Sequence, residues 1–367
     1  INVDGFFSDH LVITATHASG YTNTDGLHIG GKCSNINVCR LEVYGCEDDA
    51  LAIVADDSHH GGDYTAEMVS GSIDNVTVGS LHTDHGSWQA IRLLSAVNNI
   101  SNINIGPVSG SFVRHAVLAE PYGLGAGGKY TNVRIESVKM RMVDAGGGEV
   151  ITNPRFVWLD LELNGISDIS IGDLYRYQIS TDVDSQWIYT VYVATGDATL
   201  VSIGDVVELN CSNDFSLGVK AAGDYGSVSV GQWSRIGSSS NLALANVTGG
   251  GRLGLLRIAG EITTGFVNAI TATGVSIDVV KLDSASTIAS DVFLKLDAVP
   301  VGILDTQGVP LVNARLWKVT NGAAVGVSTQ MCVQQIKAGE SLHNNPAQGL
   351  LQYDNNAGRF TYWNGTQ

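Results

Sequence analysis

Acidic side chains near the start of the chain form two groups, and 23 residues separate Asp25 from Asp48. Asp25 lies in the segment Asn-Thr-Asp-Gly, and Asp48 is followed directly by Asp49. Cleavage of a glycosidic bond needs one carboxylic acid to protonate the leaving oxygen and one carboxylate to activate water or attack carbon. Crowding raises the pKa of at least one carboxyl group, which suits a general acid near neutral pH. The alternative is that each Asp occupies a turn.

Aromatic and arginine side chains follow this acidic region. Trp88 precedes Arg92 by four residues, and Arg114 comes later in the same part of the chain. Aromatic rings stack on the apolar faces of sugars, and a guanidinium offers a two-pronged contact to a carboxylate. Trp88 is therefore the aromatic residue that we expect to contact a sugar, and the two arginines are candidate anchors for an acidic sugar. Three other aromatic residues could also serve as sugar platforms, although most aromatic residues are expected to lie in the core or to anchor loops: Tyr122, Trp158 and Tyr175.

A short phrase of alternating apolar and polar residues recurs along the chain and indicates the elements that position these side chains. It begins with Asn, Asp or a small polar residue and often ends in Gly. The apolar residue at its centre recurs every 27 to 36 residues. The central residues of six copies are Val76, Ile103, Val133, Ile169, Val201 and Val228.

Alternation with period two, bounded by turn residues, predicts β-strands. Units of strand, turn and strand that recur without helical patterns stack most simply as coils of a parallel β-helix. A β-propeller is the alternative, but its blades need four strands in about 40–45 residues, which is longer than most of these spacings. Neighbouring coils lie about 4.8 Å apart, so a separation of about one coil would place Asp25 beside Asp48 and Asp49.

The composition agrees with a turn-rich all-β protein. The chain of 367 residues contains 44 Gly and 6 Pro, and charged residues make up only 15%. The formal net charge is −16, which disfavours binding to nucleic-acid phosphates. No run of 18 apolar residues exists, so we expect no membrane insertion. Five cysteines without zinc-site spacing are expected to be small buried side chains: Cys33, Cys39, Cys46, Cys211 and Cys332.

The repeat weakens after about Val280, and the chain changes character near Pro300. The last part of the chain contains two aromatic segments rich in Asn and Gly, which are typical of a β-hairpin. We therefore predict two domains, a parallel β-helix over residues 1–298 and a small C-terminal β module over residues 299–367.

The segment Asn23-Thr24-Asp25-Gly26, followed about one coil later by Glu47-Asp48-Asp49, resembles the signature blocks of glycoside hydrolase family 28, the polygalacturonase-like enzymes. The resemblance extends through Asp84-His85-Gly86 and the segment around Arg92 to that around Arg114. It implies a right-handed, single-stranded, pectin-lyase-like parallel β-helix and an inverting hydrolase with a three-Asp centre. In that arrangement Asp25 and Asp49 activate water, Asp48 is the acid, and His85 and Arg92 contact the substrate. Coils before Asn23 are also implied, so we expect the chain to be part of a longer protein.

The architecture is also similar to that of bacteriophage tailspikes, in which a Gly-rich β-helix of low charge precedes a short C-terminal module. This resemblance implies a homotrimer in the virion tail, and therefore extracellular, that binds and cleaves a bacterial capsular or O-antigen polysaccharide. Neither resemblance implies a cofactor or a metal ion for the hydrolase.

Two other functions remain open for the same fold. A polysaccharide lyase would abstract a proton beside a uronic carboxylate, with Ca²⁺ or Arg neutralising the charge. A receptor-binding or structural β-helix would keep the aspartates as turn residues without catalysis. Fragments that have gained water, fragments that lack it, or binding without fragments would distinguish the three.

Overall fold

The protein is described from a computed structural model that covers residues 3–15, 24–56, 70–84, 87–121, 127–143, 155–177, 187–211, 213–236, 243–259, 266–283, 290–297, 301–305, 315–320, 330–332, 351–354 and 359–362. The strands are β1 (Val3–Thr14), β2 (Leu27–Gly30), β3 (Cys33–Tyr44), β4 (Asp49–Val54), β5 (Ile73–Val78), β6 (Leu81–Asp84), β7 (Gln89–Leu94), β8 (Ile100–Phe112), β9 (His115–Glu120), β10 (Tyr130–Met142), β11 (Arg155–Asp160), β12 (Asp168–Tyr177), β13 (Trp187–Thr195), β14 (Leu200–Ile203), β15 (Val206–Leu209), β16 (Asn213–Ala221), β17 (Asp224–Ile236), β18 (Ala243–Gly249), β19 (Arg252–Ala259), β20 (Phe266–Thr273), β21 (Ser276–Asp283), β22 (Ser290–Asp297), β23 (Val301–Asp305), β24 (Arg315–Thr320), β25 (Gln330–Cys332), β26 (Leu351–Asp354) and β27 (Arg359–Tyr362).

Two long sheets of parallel strands make up most of the described chain. The first sheet runs β1-β3-β5-β8-β10-β12-β14-β17-β19-β21-β23-β25, with β6 and β15 beside this path. The second runs β2-β4-β7-β9-β11-β13-β16-β18-β20-β22-β24. The chain alternates between the sheets, so each coil contributes to both and pairs with the coils before and after it. The fold is therefore a parallel β-helix, as predicted, and the parallel pairing is unlike a propeller's antiparallel blades.

The recurring phrase forms one continuous apolar row inside the first sheet. Val76 pairs with Ile103, which pairs with Val133, and the row continues to Val228 through Ile169 and Val201. Each of these six side chains is at most 3% exposed. The row belongs to a single core cluster that includes side chains from both sheets. The period read from the sequence is thus the spacing of the coils.

Asparagines at the start of this phrase form a second row. Asn35, Asn75, Asn102 and Asn132 all adopt a left-handed backbone conformation, with φ between 53° and 57°, which Asn tolerates better than most residues. The side-chain amide of Asn75 donates to Asn35 Oδ1 at 2.6 Å, and that of Asn132 donates to Asn102 Oδ1 at 2.9 Å. Side-chain hydrogen bonds therefore link neighbouring coils at this corner.

The first sheet bends at Gly79, and a second glycine, Gly106, lies against it on the next coil. Strand β8 pairs with β5 through its first half and with β6 through its second half, on either side of Gly79. A Cβ at Gly106 would lie 1.9 Å from the carbonyl oxygen of Gly79. The close approach of the two backbones at this bend thus requires glycine at residue 106.

Three of the five cysteines are buried as predicted, namely Cys33, Cys46 and Cys211. The prediction for Cys39 is wrong, because this residue is exposed. It follows the buried Val38 in β3, and alternation along the strand turns it away from the core. The side chain of Cys332 lies outside the described residues.

The parallel pairing extends beyond residue 298. Strand β23 pairs with β21, β24 with β22, and β25 with β23. The antiparallel pair of β26 and β27 lies further on and confirms the predicted hairpin. The division of the chain into two domains at residue 298 stays a prediction. Within the described ranges, no helix is long and apolar enough to cross a membrane.

Candidate functional site

The three predicted catalytic aspartates meet at the corner that leads into the second sheet. Asp25 lies just before β2, and Asp48 and Asp49 lie at the equivalent corner of the next coil, where β4 begins. Backbone hydrogen bonds join these corners: Gly26 N donates to Asp49 O at 2.7 Å, and Asp48 N donates to Thr24 O at 3.1 Å. One carboxylate oxygen from each aspartate lies within 4.8 Å of the others. The spacing of about one coil therefore places the three carboxylates together, as predicted.

Local sequence explains this close approach. A Cβ at Gly26 would lie 2.4 Å from the carbonyl oxygen of Ala50 and 2.7 Å from Val43 Cγ1, so only glycine fits after Asp25. Ala50 and Leu51 both pack into the core. Asp49, which precedes these two inward residues, is itself buried, and one of its carboxylate oxygens lies within 4.8 Å of one from Asp25.

Asp25 is held in its ionised form. Burial acts to raise its pKa, but the hydrogen bond and the charge of His28 oppose this, together with the Asp49 backbone N–H and the charge of Arg92. The net result is a pKa below the ordinary value. His28 Nδ1 lies 2.5 Å from Asp25 Oδ2, and Asp49 N donates to Asp25 Oδ1 at 3.2 Å.

Asp49 is biased in the opposite direction. Burial is the largest cause and the negative charge of Asp48 is the next, and together they raise the pKa of Asp49 well above the ordinary value. The positive charge of Arg92 opposes this shift. The residue is 2% exposed, and its Oδ1 is buried without a hydrogen-bond partner among the described residues. The pKa values of two carboxyl groups on neighbouring coils are therefore shifted in opposite directions, which is the condition for acid and base chemistry at one site.

Arg92, predicted to bind substrate, lies beside this cluster and is already paired. Its Nη1 is 3.6 Å from Asp49 Oδ2, and its Nη2 is 3.2 Å from Glu120 Oε1. Register explains the contact, since Arg92 pairs with Ala52 and Leu94 with Glu120 on neighbouring strands. Burial raises the pKa of Glu120, and the charge of Arg92 opposes that change. The guanidinium therefore neutralises protein carboxylates as well as facing the site.

Trp88 and Arg114 occupy the same corner on the next two coils. Trp88 N donates to Asp48 O at 2.7 Å, and Arg114 N donates to Trp88 O at 2.8 Å. The Arg114 guanidinium carbon lies 5.7 Å from the Trp88 ring centroid. The structure thus brings these two predicted substrate-binding residues into line with Asp48. His85, the remaining predicted residue, lies outside the described residues.

The sequence analysis did not single out His28 or Glu120. His28 follows Asp25 by three residues, so its short separation from a candidate carboxylate was a signal available in the sequence. Glu120 is 28 residues from Arg92, and only the strand register shows that they meet.

A second cluster on the second sheet contains Trp158, a candidate sugar platform, together with Arg155 and Tyr192, which the sequence analysis did not single out. The guanidinium carbon of Arg155 lies 4.0 Å from the ring centroid of Trp158 and 4.1 Å from that of Tyr192. Trp158 and Tyr192 are paired on the neighbouring strands β11 and β13. The cation is therefore enclosed between two aromatic rings from successive coils.

The aspartate cluster could also hold a cation. Its three carboxylates offer oxygen ligands at short mutual distances, and hard cations such as Ca²⁺ bind such oxygens. Two features weaken cation binding at the cluster. Arg92 brings a positive charge to Asp49, and the raised pKa of Asp49 favours its uncharged form.

Comparison with known proteins gave no match to a family model, a curated sequence or a solved structure. The fold defines the protein as a parallel β-helix, and any assignment of its activity depends on the geometry and the motifs described above.

Proposed function

We propose that this protein is a glycan depolymerase that hydrolyses glycosidic bonds of a bacterial surface polysaccharide. The observation that carries the proposal is the cluster of Asp25, Asp48 and Asp49, in which one carboxyl group has a lowered pKa and another a raised pKa. Hydrolysis of a glycosidic bond needs one ionised and one protonated carboxyl group across the scissile bond. The neighbouring Trp88 and Arg114 supply an aromatic face and a cation for a sugar ring.

In the proposed mechanism, Asp25 stays ionised and activates the attacking water. Burial, and then the negative charge of Asp48, raise the pKa of Asp49, since like charges repel. Asp48 is the half-buried member of this pair, whereas Asp49 is closed to solvent. Asp48 is therefore the proposed donor to the leaving oxygen, as the family resemblance implies. The resemblance also places Asp49 with Asp25 at the water, a role that the burial and the raised pKa of Asp49 do not support.

The stereochemical outcome is open to a direct test. The resemblance to glycoside hydrolase family 28 implies inversion. Inverting pairs are usually about 6.5–9.5 Å apart to admit water, and retaining pairs about 5–5.5 Å. One oxygen from each aspartate lies within 4.8 Å of the others, a closest approach of single oxygens that both classes allow. Proton NMR of the first-formed anomer decides between the two.

The proposed setting is a bacteriophage tailspike that acts outside the cell on capsule or O-antigen, with no cofactor. The Gly-rich β-helix and the β26–β27 hairpin support this setting by similarity of architecture. A tailspike of this kind is a homotrimer. Light scattering should give three times the chain mass, and a monomer would contradict the tailspike proposal without affecting hydrolysis.

The test of hydrolysis is incubation with a panel of bacterial capsular and O-antigen polysaccharides, followed by mass spectrometry. We expect fragments that have gained one water from at least one polymer. Asp48→Asn should abolish these fragments and spare binding to the same polymer. Asp168→Asn is the matched control, because Asp168 is exposed on the first sheet, far from the cluster in register.

A polysaccharide lyase is the second candidate, favoured by the three carboxylate oxygens that could bind Ca²⁺. Products that lack the added water and absorb in the ultraviolet would establish this reaction. Loss of activity with a chelator and its return with Ca²⁺ would support the same conclusion. Unchanged hydrolysis in Asp25→Asn, Asp48→Asn and Asp49→Asn would contradict the three-Asp assignment.

A further inference from the structure

A row of buried polar side chains leads away from the aspartate cluster along the second sheet. Asp49, Gln89 and His115 are in register at the start of β4, β7 and β9. Arg155 begins β11, and His115 Nδ1 lies 2.8 Å from its carbonyl oxygen. These four residues, here called the polar row, occupy four successive coils. The row is about 14 Å long, since neighbouring strands are about 4.8 Å apart.

Each member of the polar row has a buried polar atom with no hydrogen-bond partner in the described chain. The atoms are Asp49 Oδ1, Gln89 Oε1, His115 Nε2, and Nε and Nη1 of Arg155. Buried polar atoms are nearly always paired, and unpaired ones point to ordered water or a bound ligand. Four such residues in consecutive coils therefore form a buried row with unmet hydrogen bonds, and Arg155, at its far end, is the member that is partly exposed.

Arg155 differs from Arg92, which lies on the same sheet. Arg92 forms ion pairs with Asp49 and Glu120, whereas no described ion pair or side-chain hydrogen bond engages Arg155. Trp158 and Tyr192 enclose its guanidinium without providing a negative charge. Asp160, the carboxylate on the same strand, interacts electrostatically with Arg155, but no described hydrogen bond or ion pair joins the two side chains. The positive charge of Arg155 is thus uncompensated by hydrogen bonding.

The rings beside Arg155 are held in place by the next coils. A Cβ at Gly218 would lie 2.6 Å from Tyr189 Cε1 and 2.7 Å from Tyr192 Cδ2, so glycine leaves room for both rings. Asn246 Nδ2 also donates to the Tyr189 hydroxyl at 3.0 Å. Residues of the next two coils, Gly218 and Asn246, therefore help to fix the rings around Arg155 in position.

We propose that Arg155, Trp158 and Tyr192 form a binding site for a carboxylate-bearing sugar, three coils from the aspartate cluster. A guanidinium binds a carboxylate through paired N–H donors, and aromatic rings stack on the sugar ring. The inference rests on the proposed function, since it makes the cleaved polysaccharide acidic. It places one uronate residue at Arg155 while the bond to be cleaved lies at Asp25 and Asp48.

The test is side-chain NMR of the arginine Nε–Hε groups during titration with sodium glucuronate at constant ionic strength. The Arg155 signal is identified by its loss in Arg155→Lys. Arg134, whose Nε donates to Asn132 on the first sheet, is the internal control and is identified in the same way. Glucose tests the need for the carboxylate, and acetate tests the need for the sugar ring.

We expect a saturable shift of the Arg155 signal with glucuronate, little change with glucose, and weaker binding of acetate. The Arg134 signal should not move. No saturable shift with glucuronate, or equal binding of acetate and glucuronate, would overturn the proposal.

The same titration and the cleavage assay, both done with the wild-type protein, separate this inference from the proposed hydrolysis. Binding of glucuronate by a wild-type protein that cleaves no polymer would leave the site intact and contradict the depolymerase. Cleavage of a neutral polymer with no shift at Arg155 would contradict the site alone.

Discussion

Two arginines on the second sheet of the β-helix carry the same charge in opposite surroundings. Arg92 lies between Asp49 and Glu120 and forms ion pairs with both. Arg155 lies between Trp158 and Tyr192, and its Nε and Nη1 are buried without a partner in the described chain. Arg92 therefore stabilises charges of the protein itself. Arg155 has no described charged partner and is available, in the proposal above, to stabilise the charge of a ligand.

The largest expected difference between Arg92 and Arg155 is in the free energy of unfolding. Arg92→Gln removes the cation from two partly or fully buried carboxylates, and breaking such a pair typically costs about 3–5 kcal/mol. Arg155→Gln breaks no ion pair and loses cation–π contacts worth about 1–2 kcal/mol. Chemical denaturation of the two variants should therefore show the greater loss for Arg92→Gln. Equal losses would mean that Arg155 has a structural partner and would undermine the comparison.

The next effect concerns substrate recognition. Arg155→Lys keeps a positive charge but loses the planar, two-pronged contact. We expect KM for an acidic polysaccharide to rise about tenfold, equivalent to about 1.4 kcal/mol, with little change in kcat. The carboxyl-reduced form of the same polymer is the control, and its KM should be the same for both proteins. A fall in kcat at unchanged KM would assign Arg155 to another role.

The smallest effect concerns the loss of folding stability that the ionisation of buried Asp49 causes in the aspartate cluster. The pKa of Asp49 is raised in the folded protein, so the folded state binds its proton more tightly than the unfolded state. Stability from this group is therefore present below its unfolded pKa and lost as the pH rises. Asp49→Asn removes that loss, and we expect Tm to rise by about 2–4 °C for each 1 kcal/mol gained.

This gain in Tm should be larger at pH 7 than at pH 4, whereas cleavage should be lost at both. Scanning calorimetry of the wild-type protein and Asp49→Asn at the two pH values checks the sign. A variant that loses stability at pH 7 would show that Asp49 is ionised and favourably paired there.

Much of the fold could be predicted from the sequence because the coils repeat. The apolar row from Val76 to Val228 and the Asn row beginning at Asn35 both follow from residue types at equivalent positions. The meeting of Asp25 with Asp48 and Asp49 followed from a separation of about one coil. In each case, a period visible in the sequence equals a distance in the structure.

The remaining contacts depend on register at corners, which the period does not determine. Glu120 meets Arg92, and Arg155 meets Tyr192, because loops of unequal length still bring their strands into alignment. The inward pair Ala50-Leu51 shows the same limit, since the corner changes which residues face the core. The error at Cys39 has another cause, because residue type was used there in place of the strand alternation. Sequence reasoning consequently identified the catalytic candidates but missed the charges that compensate them.

The most direct test of the central claim is cleavage of a polysaccharide in water enriched in oxygen-18, with products weighed by mass spectrometry. The account predicts that each new reducing end produced by the wild-type protein carries one labelled oxygen, and that Asp48→Asn produces none while Asp168→Asn matches the wild type. Unlabelled, ultraviolet-absorbing fragments, or labelled fragments from Asp48→Asn, would contradict it.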